Sequence, residues 1–178
     1  ISGSVVVSDV NTGGVLAIVS YPSYDNNELV NSFNNEYYAK LLNDPTTPLV
    51  NRPLSQKKAP GSTLKMATAV AALESGAITT KTTVKDEGTF IKAGLPYAKC
   101  WVSSSGGTHG IVDVRTALEV SCNYFFYEVT YSMGNAKEGT TLESINKLDE
   151  YMAAFGLNDY TGIEIGESKP GMASPEYK

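Results

Sequence analysis

From Leu64 to Leu73 the chain reads Leu-Lys-Met-Ala-Thr-Ala-Val-Ala-Ala-Leu, and on a helix the apolar residues of this segment run nearly all the way round the axis. A helix of that kind has little surface to give to water, so it must be covered on more than one side. Pro60-Gly61 precedes it, Ser75-Gly76 ends it, and Ser62 stands at its N-terminus. Lys65 is the single charge between Leu64 and Leu73, and an ammonium in such a setting is costly unless it is paired or used. A serine with a lysine three positions on, at a helix start, puts hydroxyl and amine on one face, and a desolvated lysine there can lose its proton and act as a base.

Around this helix the sequence reads as an α+β chain. Ser4–Asp9 and Val15–Ser20 are β-branched runs on either side of Asn11-Thr12-Gly13-Gly14, which predicts a hairpin over residues 1–20. Tyr21–Pro60, rich in Asn, Pro and Tyr, predicts a long connection with one short helix near Glu36–Leu42. Thr79–Gly110 is polar and Gly/Ser-rich and predicts loop. Helices are expected at about Val114–Leu118, Tyr124–Tyr131 and Leu142–Phe155, so residues 61–178 form a mostly helical part. Trp101, Tyr124, Phe125, Phe126 and Tyr127 are expected in the core. The formal net charge of −5 argues against a phosphate-backbone binder, and nucleic acid is not an expected partner. No apolar run reaches the roughly 18 to 20 residues of a membrane-spanning helix. The opening Ile1-Ser2-Gly3 is neither an initiator Met nor a signal peptide, so the chain is expected to be a piece of something longer.

S-x-x-K occurs three times, at Ser55/Lys58, Ser62/Lys65 and Ser144/Lys147, where composition predicts on the order of one by chance. Ser55 lies in a proline-flanked loop, and Ser144 and Lys147 lie on an amphipathic helix where both most simply face water. Ser62 alone combines a helix N-terminus with an apolar helix behind it, although a serine there also suits a plain N-cap. A second pattern, Ser121-Cys122-Asn123, falls between two predicted helices; Ser32-Phe33-Asn34 and Ser144-Ile145-Asn146 repeat S-x-N in less suitable places. Cys100 and Cys122 are compatible with free thiols, one bridge or metal ligation. With His109 they could make a zinc site, but the intervening stretches of about eight and about twelve residues match no familiar zinc pattern. A structural histidine and two buried thiols are the preferred reading, with no cofactor expected.

Pro60-Gly61-Ser62-Thr63-Leu64-Lys65 resembles the first motif of the penicillin-binding proteins and serine β-lactamases, and Ser121-Cys122-Asn123 resembles their S-x-N motif. Asp9–Ala17, Leu49-Val50-Asn51-Arg52, Cys100-Trp101, His109-Gly110, Ala117-Leu118-Glu119 and Thr161-Gly162-Ile163-Glu164 are similar to class B penicillin-binding proteins, and Gly166–Tyr177 to their elongation type. The resemblance implies the penicillin-binding-protein transpeptidase fold and a D,D-transpeptidase that cross-links peptidoglycan stem peptides and is acylated by β-lactam antibiotics. It implies Ser62 as nucleophile, Lys65 as its base, Ser121 relaying a proton to the leaving amine, Asn123 holding Lys65 and the substrate amide, and the Ser62 N–H as half of an oxyanion hole. It also implies the extracytoplasmic face of the bacterial membrane, an anchor outside this chain, and a membrane glycosyltransferase of the elongation machinery as partner. The K-T-G motif, carried by the family on a later strand of its central sheet, does not occur here. The expectation is therefore an incomplete domain, inactive alone, completed by its own remainder or by a chain mate. The alternatives are a β-lactamase, a β-lactam sensor, or a non-catalytic interaction domain of the same fold.

Overall fold

A computed structural model describes residues 1–134 and 141–171 of the chain. These form two compact units, one from Ile1–Lys58 with Gly162–Ser168 and the other from Ala59–Thr161 with the residues beyond 168. The part of the Gly166–Tyr177 stretch after residue 171 lies outside the described residues.

In the first unit, β1 (Gly3–Ser8) and β2 (Val15–Tyr21) pair antiparallel, from Gly3 opposite Tyr21 to Val7 opposite Ala17, with an irregularity before Ser8. The turn is built by Asp9, whose Oδ1 accepts from the N–H groups of Asn11 and Thr12, and Gly13 supplies the positive φ of 72°. Val5, Val6, Leu16 and Val19 remain exposed, so this two-stranded sheet buries little of its own apolar surface. The predicted long connection contains three helices: α1 (Asn27–Val30), α2 (Asn35–Leu42) and α3 (Arg52–Ser55). Only α2 was legible, because four-residue helices carry too few positions for a period to register. Arg52 is buried and knits the unit together, its guanidinium donating to Thr46 O at 2.5 Å, Thr47 Oγ1 at 3.1 Å and Pro22 O at 3.4 Å.

The second unit holds the core. Its central helix, α4 (Leu64–Glu74), buries Thr68, Ala69, Ala71 and Ala72. These small side chains let α6 (Asn123–Met133) and α7 (Thr141–Ala154) pack against it, and Phe125, Phe126, Val129 and Met152 are buried there. Met66 and Val70, four residues apart on α4, are instead 65% and 44% exposed. One stripe of the apolar helix therefore lacks a cover among the described residues.

Thr79–Gly110 is not the loop its composition suggests. It contains β3 (Val84–Asp86), β4 (Thr89–Phe90) and β5 (Ala98–Lys99), and β6 (Gly110–Val112) follows directly. β3 pairs antiparallel with β6 and β4 with β5. Strands of two or three residues are too short for an alternating pattern to show against their glycines. α5 (Val114–Glu119), capped by the Asp113 carboxylate on Thr116 N–H at 2.8 Å, then leads into α6. Tyr124, Phe125 and Phe126 are core, as expected, while Trp101 is not: it is 56% exposed, and its polar N–H accounts for its position, as described below. No helix among the described residues is long and apolar enough to cross a membrane.

Candidate active site

Gly61, at φ 60°, turns the chain into a short 3₁₀ turn over Gly61–Thr63 that runs straight into α4. Ser62 does not act as an N-cap; its Oγ meets the Oγ of Ser121 at 3.0 Å. Lys65, one turn on, reaches across to the segment between α5 and α6. Its Nζ donates to Ser121 O at 2.7 Å, Ser121 Oγ at 2.9 Å and Asn123 Oδ1 at 2.6 Å, with the Phe126 ring 5.6 Å away. All four residues expected at the site are thus brought together. Among the described residues no hydrogen bond joins Lys65 directly to Ser62, because Ser121 Oγ stands between them.

The turn carrying Ser121 has an unusual backbone. Cys122 N–H bonds Ala117 O at 2.9 Å and Ser121 N–H bonds Leu118 O at 3.2 Å, the pair of bonds that closes a helix in a Schellman motif. The left-handed residue of that motif is normally glycine, and here it is Ser121, at φ 52°. A side chain in that conformation costs on the order of 1 kcal/mol. In return, the Ser121 hydroxyl and carbonyl oxygen both face Lys65. Cys122 then caps α6, its Sγ accepting from Phe125 N–H at 3.4 Å, and Asn123 opens the helix.

The inventory of donors dictates how protons can run through this chain. As an ammonium, Lys65 has three N–H groups and spends them on three oxygens, leaving the Ser121 hydroxyl to donate toward Ser62. As a neutral amine it has two N–H groups and a lone pair. Ser121 O and Asn123 Oδ1 can only accept, so the lone pair must take the Ser121 hydroxyl proton, and Ser121 Oγ is then free to accept from Ser62. Burial pushes the Lys65 amine below the ordinary lysine value, with Cys100 and Cys122 pulling the other way.

The decoys do other things. Ser55 Oγ bonds Asn51 O at 2.6 Å at the end of α3, and Asn34 caps α2 on Tyr37 N–H at 2.9 Å. Ser144 does not face water: it is buried, with its Oγ on Tyr131 O at 2.8 Å, because its side of α7 lies against α6. Lys147 is half-buried and pairs with Glu150.

Directly behind the S-x-N turn, Cys100, His109 and Cys122 meet a fourth residue that sequence reasoning missed, Asp86. Their candidate ligand atoms all lie within 4.8 Å of one another. His109 Nδ1 is 2.8 Å from Asp86 Oδ2 and 3.4 Å from Cys100 Sγ; Cys122 Sγ is 3.9 Å from Cys100 Sγ and 3.6 Å from Asp86 Oδ2. Tetrahedral zinc with two thiolates would set its sulfurs about 3.8 Å apart. Burial pushes the Cys122 thiol up to about 12. Burial would also raise the Asp86 carboxyl, but bonds from the N–H groups of His109 and Gly88 and from the His109 ring bring it below its usual value. Asp86 ends β3, Cys100 follows β5, His109 precedes β6 and Cys122 precedes α6, so no contiguous sequence pattern could have announced the set.

Residues 3–178 match the family model for the penicillin binding protein transpeptidase domain. The chain is 43% identical over 176 residues to the peptidoglycan D,D-transpeptidase MrdA of Escherichia coli K12, covering 98% of this chain and 26% of that protein. It spans about a quarter of the length of the curated relatives it matches. Among solved structures it is similar to Pseudomonas aeruginosa PBP2 in complex with WCK 5153, at 31% identity and a TM-score of 0.83 over 99% of this chain and 38% of that one. It is also similar to penicillin-binding protein A of M. tuberculosis as a penicillin G acyl-enzyme complex, at 29% identity and a TM-score of 0.74 over 94% of this chain and 38% of that one. A family match over nearly the whole length, with relatives in agreement, settles the descent: the chain belongs to the penicillin binding protein transpeptidase domain family, on its class B, elongation-type branch.

Proposed function

We propose that this chain is the nucleophile-bearing part of a peptidoglycan D,D-transpeptidase, working at the extracytoplasmic face of the bacterial membrane beside a glycosyltransferase of the elongation machinery. The observation that carries the reading is the unbroken hydrogen-bond chain from Lys65 through Ser121 to Ser62. Ser62 Oγ attacks the carbonyl of the penultimate D-alanine of a stem peptide, its proton passing to Ser121 Oγ as the Ser121 proton passes to the Lys65 lone pair. The Ser62 N–H donates to the developing oxyanion. Collapse expels the terminal D-alanine, whose amine takes a proton back through Ser121, and the amine of a second stem then attacks the acyl-enzyme along the same relay. Asn123 keeps Lys65 aimed. A β-lactam enters at the first step because its strained amide presents the same carbonyl.

The curated relatives the chain matches are peptidoglycan D,D-transpeptidases, which favours transacylation through a stable acyl-enzyme over the hydrolytic turnover of a β-lactamase. In the complete domain, a penicillin adduct is expected on Ser62 by peptide mass, long-lived against dilution and abolished by Ser62→Ala. An adduct on Ser55 or Ser144, or rapid release of hydrolysed penicillin, would overturn this reading.

The same reading makes acylation depend on neutral Lys65. The neutral fraction rises with pH, and burial moves that rise to lower pH, so the acylation rate should climb through a midpoint below the reference lysine value of about 10.4. Lys65→Arg keeps the positive charge at all accessible pH and should lose roughly 10²- to 10⁴-fold in acylation rate. Near-normal acylation by that variant would mean that another group takes the proton.

We further propose that Asp86, Cys100, His109 and Cys122 hold a structural zinc ion, a reading favoured by the closeness of their four ligand atoms. A bound ion would keep the thiols as thiolates and tie β3, β5 and β6 to the start of α6. Metal analysis of the purified domain should find zinc, and a strong chelator, like His109→Ala, should lower the thermal midpoint. Metal-free protein with an unchanged midpoint would exclude the ion.

A further inference from the structure

Ser121 is held in its left-handed conformation by the peptide that precedes it, and that peptide is gripped at both ends. Its N–H, on Ser121, bonds Leu118 O at 3.2 Å. Its carbonyl, on Val120, the residue that caps the C-terminus of α5, has no onward helical donor; it accepts from the indole Nε1 of Trp101 at 3.2 Å. Fixing both ends fixes the peptide plane, and rotation of that plane is what φ of Ser121 measures. Trp101 is itself anchored. It follows Cys100 at the start of a 3₁₀ turn, and its ring lies against His109, with centroids 5.3 Å apart.

Packing alone does not account for this residue. Among the described residues Trp101 is left 56% exposed, so little of its apolar surface is covered by them, and a phenylalanine would cover His109 as well. What tryptophan adds is a rigid N–H donor at the height of Val120 O. We propose that Trp101 is a positioning residue for transacylation, whose indole N–H clamps the Val120 carbonyl and thereby keeps the Ser121 hydroxyl in line between Ser62 and Lys65. The proposal rests on the transpeptidase reading and adds to it a residue that touches none of the reacting atoms.

The test uses the complete domain and separates the N–H from the ring. Trp101 is replaced by benzothienylalanine, which keeps shape and stacking and puts sulfur where the N–H was, and, in parallel, by 5-fluorotryptophan, which keeps the N–H. Penicillin binding before acylation and the acylation rate constant are measured separately by stopped flow, together with the thermal midpoint. The sulfur analogue should lose about three- to tenfold in the acylation rate constant, the worth of one such hydrogen bond, with pre-acylation affinity unchanged and the midpoint lowered by no more than the few degrees one hydrogen bond accounts for. The fluorinated analogue should keep the wild-type rate constant. An unaltered rate constant in the sulfur analogue, or a loss confined to pre-acylation affinity, overturns the positioning role; the second result would make the indole a contact for the ligand. If the unsubstituted domain is not acylated at Ser62, the transpeptidase reading itself fails and this inference fails with it.

Discussion

Lys65 brings three N–H groups to the site, and the fold offers it three oxygens within 2.9 Å, two of them from Ser121. Everything near the site depends on that match. Two of the three oxygens can only accept, so when Lys65 is neutral its lone pair has one possible proton donor, the Ser121 hydroxyl. The backbone of Ser121 makes the match possible, since an ordinary right-handed or extended residue would not turn both its carbonyl and its hydroxyl toward one amine. The strain of the left-handed conformation is small against the cost of an unpaired ammonium on a half-buried helix. Strain and charge thus stabilise each other.

The turn is supported from several directions, and each support begins in a different part of the chain. The Schellman bonds come from α5, the indole bond from the segment after β5, and the cap on α6 from Cys122. Cys122 also belongs to the Asp86, Cys100 and His109 cluster, which makes the middle residue of S-x-N the link between the catalytic turn and the short sheets behind it. The alanines of α4 contribute by being small, allowing α6 to come close enough for Lys65 to reach Ser121 and Asn123.

These supports differ in how far residue types alone disclose them. Ser62 and Lys65 could be chosen over Ser55 and Ser144 because only Ser62 precedes a helix with no polar face, and the structure places only that pair at a relay. The hairpin around Gly13 and helices α4 to α7 were legible for a similar reason, each being long enough for its pattern to register. Ser121 hid its conformation, because the usual sign of a left-handed helix end is glycine. Asp86 escaped notice because cluster residues from separate elements share no spacing that a metal motif would use. Trp101 was assigned to the core on residue type, yet its position is explained by its one polar atom. Ser144 was expected in water on the strength of its amphipathic helix, and the approach of α6 buried it.

The central claim is that Ser121 and Lys65 act on Ser62 as one relay and not as two independent aids. A double-mutant cycle on the penicillin acylation rate constant of the complete domain, with Lys65→Met, Ser121→Ala and the combination, tests it most directly. A relay predicts that the double variant is about as slow as the slower single variant, since a broken chain cannot be broken again. Losses that multiply in the double variant would show that Lys65 reaches Ser62 by a path that bypasses Ser121.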